Sequence, residues 1–301
     1  MTKKAILLFL VVYTLYSTSL FSQEIEETPE HFGQFYNNPL FNLSRGGLDS
    51  RYELNFDQQR NVGGFRGVST SYFSFFYNPN YRKRSSPKVN SKNIYGVYFY
   101  NDHEGDYIAR NRIQFIFTRH QRISKEWHFS LGVSGGLYLF GIKPSSTTKA
   151  YSANAFEGNS SLLFYNRSFQ IGLAMNQFTN NKIQPIYQIT RLKRHYYFFS
   201  QYKIEKEFYQ FIPSIYLKYQ NNNYPVLFEK KWQTGASVRL VYNIVMGGIS
   251  YDNNGVYVTT GLNNWEINKK KINLDFSYFV PLARQSNVNV NRMEINIKLK
   301  L

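Results

Sequence analysis

The chain has 301 residues, enough for two ordinary soluble domains or one large all-β domain, and its 36 Lys and Arg against 19 Asp and Glu give a net charge of +17. Cysteine is absent, which excludes disulfides, thiolate metal sites and lipid attachment at a processed N-terminal Cys. Tyr and Phe contribute 26 each, a load that suits strands and membrane-interface girdles, while a negative mean hydropathy argues against a helical membrane protein but not against a barrel.

Residues 1–23 read as a secretory signal. Lys3 and Lys4 form the basic start, 5–20 an apolar core, and Ser19 or Ser22 offers a small residue for cleavage. No later run approaches the ~18 apolar residues that a spanning helix needs. Loss of Lys3 and Lys4 with the leader lowers the charge from +17 to +15. An exported chain this basic does not meet nucleic acid by default, so anionic lipid, polysaccharide or an acidic protein is the expected partner. Residues 24–30 are acidic and contain Pro29. Residues 31–47 are turn-rich, with Asn38-Pro39 and Gly46-Gly47 among aromatics, and precede the first strand.

Alternation then begins. Tyr52, Leu54 and Phe56 oppose Arg51, Glu53, Asn55 and Asp57. Further strand candidates follow at 67–77, 92–100, 110–120, 127–140, 159–165, 168–177, 194–202, 209–219, 226–241, 244–251, 256–261, 271–280 and 292–301. The last is the cleanest: Met293, Ile295, Ile297, Leu299 and Leu301 alternate with Arg292, Glu294, Asn296, Lys298 and Lys300, one apolar face and one polar face. Pro213 inside a candidate suggests a local bulge.

Splitting 226–241 at Lys230-Lys231 would make fifteen strands. A closed barrel with both ends on one side needs an even number, so the pair merges to give fourteen. Turns at 121–125, 166–167, 205–207 and 242–243 fall on one side, and longer connections at 143–156, 179–193 and 282–291 on the other. That asymmetry is the one outer-membrane barrels show, although the long 78–91 connection falls on the short-turn side. The expected fold is all-β: a transmembrane antiparallel β-barrel of about 14 strands, of outer-membrane type. The expected organisation is a signal peptide (1–23), a periplasmic N-terminal segment (24–48) and the barrel (49–301). The final strand should pair with Tyr52–Phe56, its apolar row facing lipid and Glu294 and Lys298 facing the lumen.

Little in the chain points to catalysis, and the reading is not an enzyme. His128 and Ser130, two apart on a strand, share a face, as a His base and a Ser nucleophile could. The segment is similar to the H-x-S-x-G pattern of outer-membrane phospholipase A, but Leu131 stands where that family has Asn. With Trp127 and Phe129 facing lipid, the pair should point inward and line the lumen. Asp102-His103-Glu104 is too local for a closed metal site. No catalytic, cofactor-binding or metal-ligating residue is assigned. The basic cluster Tyr81, Arg82, Lys83, Arg84 and Lys88 is the candidate partner-binding site, with a solvated charge run as its plain alternative. Arg191, Lys193 and Arg194 form a weaker group on the opposite side.

Three stretches together resemble the PorP/SprF family of type IX secretion membrane proteins. The first is Gln34, Phe35, Tyr36, Asn38-Pro39, Asn42 and Gly46-Gly47. The second is SSLLFYNRSFQIGLAMNQF with the later IPSIYLKY, carrying Pro213-Ser214. The third is WQTGASVRL, MGGISYD and the closing strand with Glu294. Where the family has Asn-Pro-Ala, this chain has Asn42-Leu43-Ser44. The resemblance implies an outer-membrane barrel that helps to export or anchor a surface protein, adhesin-like and gliding-related, through that protein's C-terminal domain. It also implies contact with periplasmic and outer-membrane components of the secretion system. A general porin or transporter is the alternative, and a barrel lipase a remote one.

Overall fold

The computed structural model describes residues 41–62, 67–81, 91–144, 149–184, 190–220, 232–252, 255–282 and 291–301. Fourteen strands form the wall: β1 Tyr52–Val62, β2 Ser69–Tyr77, β3 Ser91–Glu104, β4 Ile108–Arg122, β5 His128–Ile142, β6 Tyr151–Tyr165, β7 Phe169–Asn176, β8 His195–Tyr202, β9 Tyr209–Gln220, β10 Trp232–Tyr242, β11 Val245–Asp252, β12 Gly255–Ile267, β13 Lys270–Pro281 and β14 Asn291–Lys300. Each pairs antiparallel with its neighbours in sequence, and β14 returns to β1, so the sheet closes. The seam runs from Glu53 opposite Lys300 to Val62 opposite Asn291, and Tyr52 and Leu301 exchange both backbone hydrogen bonds at 3.1 and 2.9 Å.

The period-2 pattern becomes an inside and an outside. On β4, Ile113, Phe115 and Phe117 are exposed toward lipid, while Arg112, Gln114, Ile116 and Thr118 are buried in the lumen. On β14, Met293, Ile295 and Ile297 face out, Glu294 is buried inside, and Lys298 points across the seam to Glu53 at 2.9 Å. Aromatic pairs mark both rims: Trp127 stacks on Phe164 at one (4.4 Å), and Tyr219 meets Trp232 at the other (4.5 Å). Asn243 sits at φ 52, and Asn268 and Lys269 at φ 50 and 67, so the two-residue turns after β10 and β12 use the left-handed backbone that tight hairpins need.

The inner face of β3 to β6 is a solid polar and aromatic core. Arg112 pairs with Glu157 at 3.2 Å, both buried, and its guanidinium lies over Tyr100 and Tyr138 at 4.8 and 5.3 Å. Gln114 accepts from Ser134 and Asn159 at 2.6 and 2.7 Å. β7 and β8 are only eight residues long, so among the described residues no strand is paired with Tyr151–Asn159 of β6 on that flank. The connection after β7 covers the gap. Phe178 donates its N–H to the Gly158 carbonyl at 2.9 Å, and Asn181 its side-chain amide to the Phe156 carbonyl at 2.6 Å. Ile183 and Leu192 then turn inward and pack on Tyr138, Phe140 and Ala155.

Several expectations need correction. The 143–156 loop is shorter than expected, because β6 begins at Tyr151, and β12 runs on to Ile267 through an irregularity between Leu262 and Trp265. Pro213 makes no bulge: it stays in register opposite Val238. Its missing N–H interrupts the ladder to β8, which stops at Gln201–Ser214 and resumes with Ile204–Phe211 without a shift. Lys230-Lys231, the proposed dividing point within 226–241, lies outside the described residues. Arg191 and Arg194 are not merely solvated, since they donate to the carbonyls of Asn180 and Phe178 at 3.4 and 3.2 Å and fasten the connection to β8.

Two outcomes test this wall. Cysteines at Phe56 and Ile297, which face each other across the seam, should cross-link on oxidation and give a faster-migrating band on non-reducing gels, whereas Phe56 with Met293 should not. Glu157→Ala should lower stability by about 3–5 kcal/mol, read by thermal unfolding in detergent, because it strands the buried Arg112 charge; replacing both partners by apolar residues should cost much less.

Candidate functional site in the barrel lumen

The stretch before β1 does not skirt the barrel. Residues 41–48 enter the lumen, reaching sites two to four residues in from the ends of β4, β5 and β6. Asn42 caps a short 3-10 turn, Leu43–Arg45, by accepting from the Ser44 N–H at 3.0 Å, and donates across to the Leu162 carbonyl at 3.2 Å. The Ser44 hydroxyl and Ser161 hydroxyl lie 2.8 Å apart. Thr118 and Ser130 donate to the carbonyls of Leu43 and Ser44 at 3.2 and 3.3 Å. Asn78 donates to the Gly47 carbonyl at 3.2 Å. Phe41 and Leu43 are buried among Tyr72, Phe76, Ile94, Leu163 and Tyr197. A plug backbone inside a barrel needs such partners, because its amides have no ladder to join.

Small residues make the room. A Cβ at Gly132 would lie 2.9 Å from the Ser44 nitrogen and 3.0 Å from the Leu43 Cβ, and Gly47 adopts φ +70 as the chain turns toward β1. Asp49 then anchors the exit, pairing with Lys300 at 3.3 Å. Lys300, then Arg45 and Lys298, hold the Asp49 carboxyl well below the usual carboxylate range.

Beneath the plug, at the end with the short turns, lies a vestibule of about 490 Å³. Its wall carries eight cationic side chains (Arg45, Lys92, Arg122, Arg167, Lys203, Arg239, Lys298, Lys300) against Asp49, Asp57, Asp275 and Glu294. Glu53 and Glu205 add to the acids through their pairing with Lys298 and with Arg167 and Lys203. Arg122 holds the turn after β4 by donating to the carbonyls of Ser124 and Lys125 at 2.9 and 3.0 Å.

His128 and Ser130 do face the lumen, but they are not partners of each other. His128 lines the vestibule and stacks on Tyr165 with centroids 5.2 Å apart. Ser130 is fully buried beneath the plug and its hydroxyl lies 3.5 Å from His120 Nε2 instead. Asp102 and Glu104 both take Arg110 at 2.8 Å, and no cluster fit for a metal ion occurs among the described residues. Tyr216 is buried in the lumen, whereas Tyr202 is half exposed on the outer face. Of the basic cluster, Tyr81 is half-buried just past β2 and donates its N–H to the Asn78 carbonyl at 3.2 Å; Arg82, Lys83, Arg84 and Lys88 lie outside the described residues. Sequence reading missed the plug and the vestibule. Asn42, the two glycines and Ser44 were the available signal, but the groups that Asn42 and Ser44 meet in the lumen, at Leu162, Ser161 and Ser130, lie more than 80 residues away.

The closed fourteen-strand barrel is shared with solved outer-membrane proteins. The toluene transporter TodX of Pseudomonas putida is 12% identical, with 90% of this chain and 94% of that chain covered and a TM-score of 0.52. The monoaromatic hydrocarbon channel CymD is 7% identical over 88% of this chain and 91% of its own, with a TM-score of 0.55. No curated protein sequence matches the chain. A family model described as type IX secretion system membrane protein PorP/SprF matches residues 25–299. The family and fold are those of a secretion or channel barrel rather than of an enzyme family, and they locate the chain in the outer membrane. This chain belongs to the PorP/SprF family of type IX secretion system membrane proteins.

Proposed function

We propose that this barrel is a secretion accessory: it helps to export, or to hold at the surface, an adhesin-like partner of gliding type through that partner's C-terminal domain, in contact with other type IX components. Family membership supports the system it serves. The observation that favours an accessory over a general diffusion channel is the occupied lumen, with residues 41–48 packed at one end and Ile183 and Leu192 at the other. A water-filled pore of this strand number leaves its interior to solvent. Short turns mark the periplasmic end of such barrels, so the plug and vestibule belong to the periplasmic half. The basic stretch Tyr81, Arg82, Lys83, Arg84 and Lys88 then follows β2 on that side and suits an acidic periplasmic partner. The signal peptide over 1–23 belongs to the same reading, as the export route such a barrel requires.

The named transport roles of TodX and CymD are the second reading, since those barrels share the fold. Conductance separates the two. Purified protein in planar bilayers should show no large stable open steps, and Phe41→Asp with Leu43→Asp, which puts charge into the plug's apolar seat, should produce them. Large steps from the unaltered protein would sink the accessory reading. For the partner, detergent-solubilised outer membranes should yield a secreted protein with a type IX C-terminal domain on affinity capture of this barrel. Replacing Arg82, Lys83, Arg84 and Lys88 by Gln should reduce recovery of periplasmic components several-fold, with the barrel itself intact. Ser130→Ala should leave lipid turnover unchanged, because the Ser130 hydroxyl serves the plug.

A further inference from the structure

The vestibule's charges are unevenly arranged. On the β1 and β14 flank the cations are matched, Lys298 by Glu53 and Lys300 by Asp49. The opposite arc carries Lys92 at the start of β3, Arg122 at the end of β4, Arg167 in the turn after β6, Lys203 after β8 and Arg239 on β10. In that arc Glu205 takes Arg167 and Lys203 at 3.0 and 3.4 Å, while the other acids of the lining, Asp49, Asp57, Asp275 and Glu294, stand on the seam side. Between the cations stand carboxamides, among them Gln170, Gln201 and Gln210. Each offers both a donor and an acceptor, the complement of a peptide backbone.

We propose that this vestibule binds an acidic, extended peptide segment presented from the periplasm. Its volume of about 490 Å³ falls within the roughly 300–1,000 Å³ of ligand cavities. The cations are spread over five strand ends, which suits a row of carboxylates better than one compact anion such as phosphate. A sugar would call for open aromatic faces, but Tyr165 is already stacked on His128 and hydrogen-bonded to His120 at 3.1 Å. A lipid tail would need an apolar wall, and Leu48 and Ile212 are the aliphatic residues lining this one. The inference rests on the secretion reading for what presents the peptide, and on the cavity for what is recognised.

The test uses the full barrel in detergent and a short fluorescein-labelled peptide alternating Glu and Ser, with a Lys-for-Glu version beside it. Fluorescence anisotropy should show binding of the Glu peptide alone, weakening as salt rises. Lys92→Gln with Arg167→Gln and Lys203→Gln should weaken it about tenfold or more, whereas Lys125→Gln, an exposed cation outside the vestibule, should not. Arg167 and Lys203 are rim residues, and heat-modifiable gel mobility checks that the variant is folded. Equal binding of the Lys peptide, no binding of the Glu peptide, or an unaffected triple variant overturns the proposal. The chain's own residues 24–30 hold four glutamates and no cation, so Glu24, Glu26, Glu27 and Glu30 are replaced by Gln in a further arm. Unchanged probe affinity supports an external peptide; a rise assigns the site to this chain's own stretch and overturns the external source. Peptide binding without partner capture counts against the secretion reading alone, and the reverse against the vestibule alone.

Discussion

An amide left without a partner in hydrocarbon costs several kcal/mol, and a strand edge carries a row of them. Everything in this chain follows from removing that row. β1 and β14 meet in a continuous ten-pair ladder from Glu53–Lys300 to Val62–Asn291, and the two ends of the barrel chain, Tyr52 and Leu301, bond to each other at its foot. Where closure is imperfect, other groups stand in. Pro213 cannot donate, so the ladder beside it is simply interrupted, with register kept on both sides. Along Tyr151–Asn159 of β6 the stand-ins are the Phe178 amide and the Asn181 side chain.

Closure creates a second difficulty, an interior that must be either wet or filled. Here much of it is filled, by two devices of different chemistry. In the loop-side half, a buried Arg112–Glu157 pair is sandwiched by tyrosines and roofed by Ile183 and Leu192. In the turn-side half, the chain uses itself: Phe41 and Leu43 supply apolar contact, and four strand groups together with Asn78, just past β2, satisfy the plug's polar atoms. The Asp49–Lys300 pair joins the plug to the last strand. The seam and the plug are thus one mechanical unit, and the residues that close the wall also hold what fills it.

That coupling shapes the functional reading. A barrel with residues 41–48 packed inside it has its partner surfaces at its mouths. The turn-side mouth is a basic vestibule under the plug, and in the loop-side half Ile183 and Leu192, from the connection between β7 and β8, pack on Tyr138, Phe140 and Ala155. This suits a component that handles proteins at its rims better than one that passes small solutes freely.

The alternation of Met293 to Leu301 against Arg292 to Lys300 was enough to state the membrane class and the inward direction of Glu294 and Lys298, while the strand count and the seam also needed the segmentation of the whole chain and the even number that closure requires. A strand's side-chain period is two, so every apolar–polar row declares its face locally. The inward direction of His128 and Ser130 was legible for the same reason. The destination of residues 41–48 was not. Nothing in Asn42-Leu43-Ser44 says whether it lies beside the barrel or inside it, because its partners Thr118, Ser130 and Ser161 come from three distant strands. Likewise the sequence does not say what occupies the space that Gly132 leaves, and only the structure brings Leu43 against it. The vestibule is less legible still. Lys92, Arg122, Arg167, Lys203 and Arg239 are scattered singly along the chain, and only the rolling of the sheet into a cylinder places them on one rim. Periodicity is a property of neighbours in sequence, and it settled the wall; what occupies the lumen depends on groups that closure alone brings face to face.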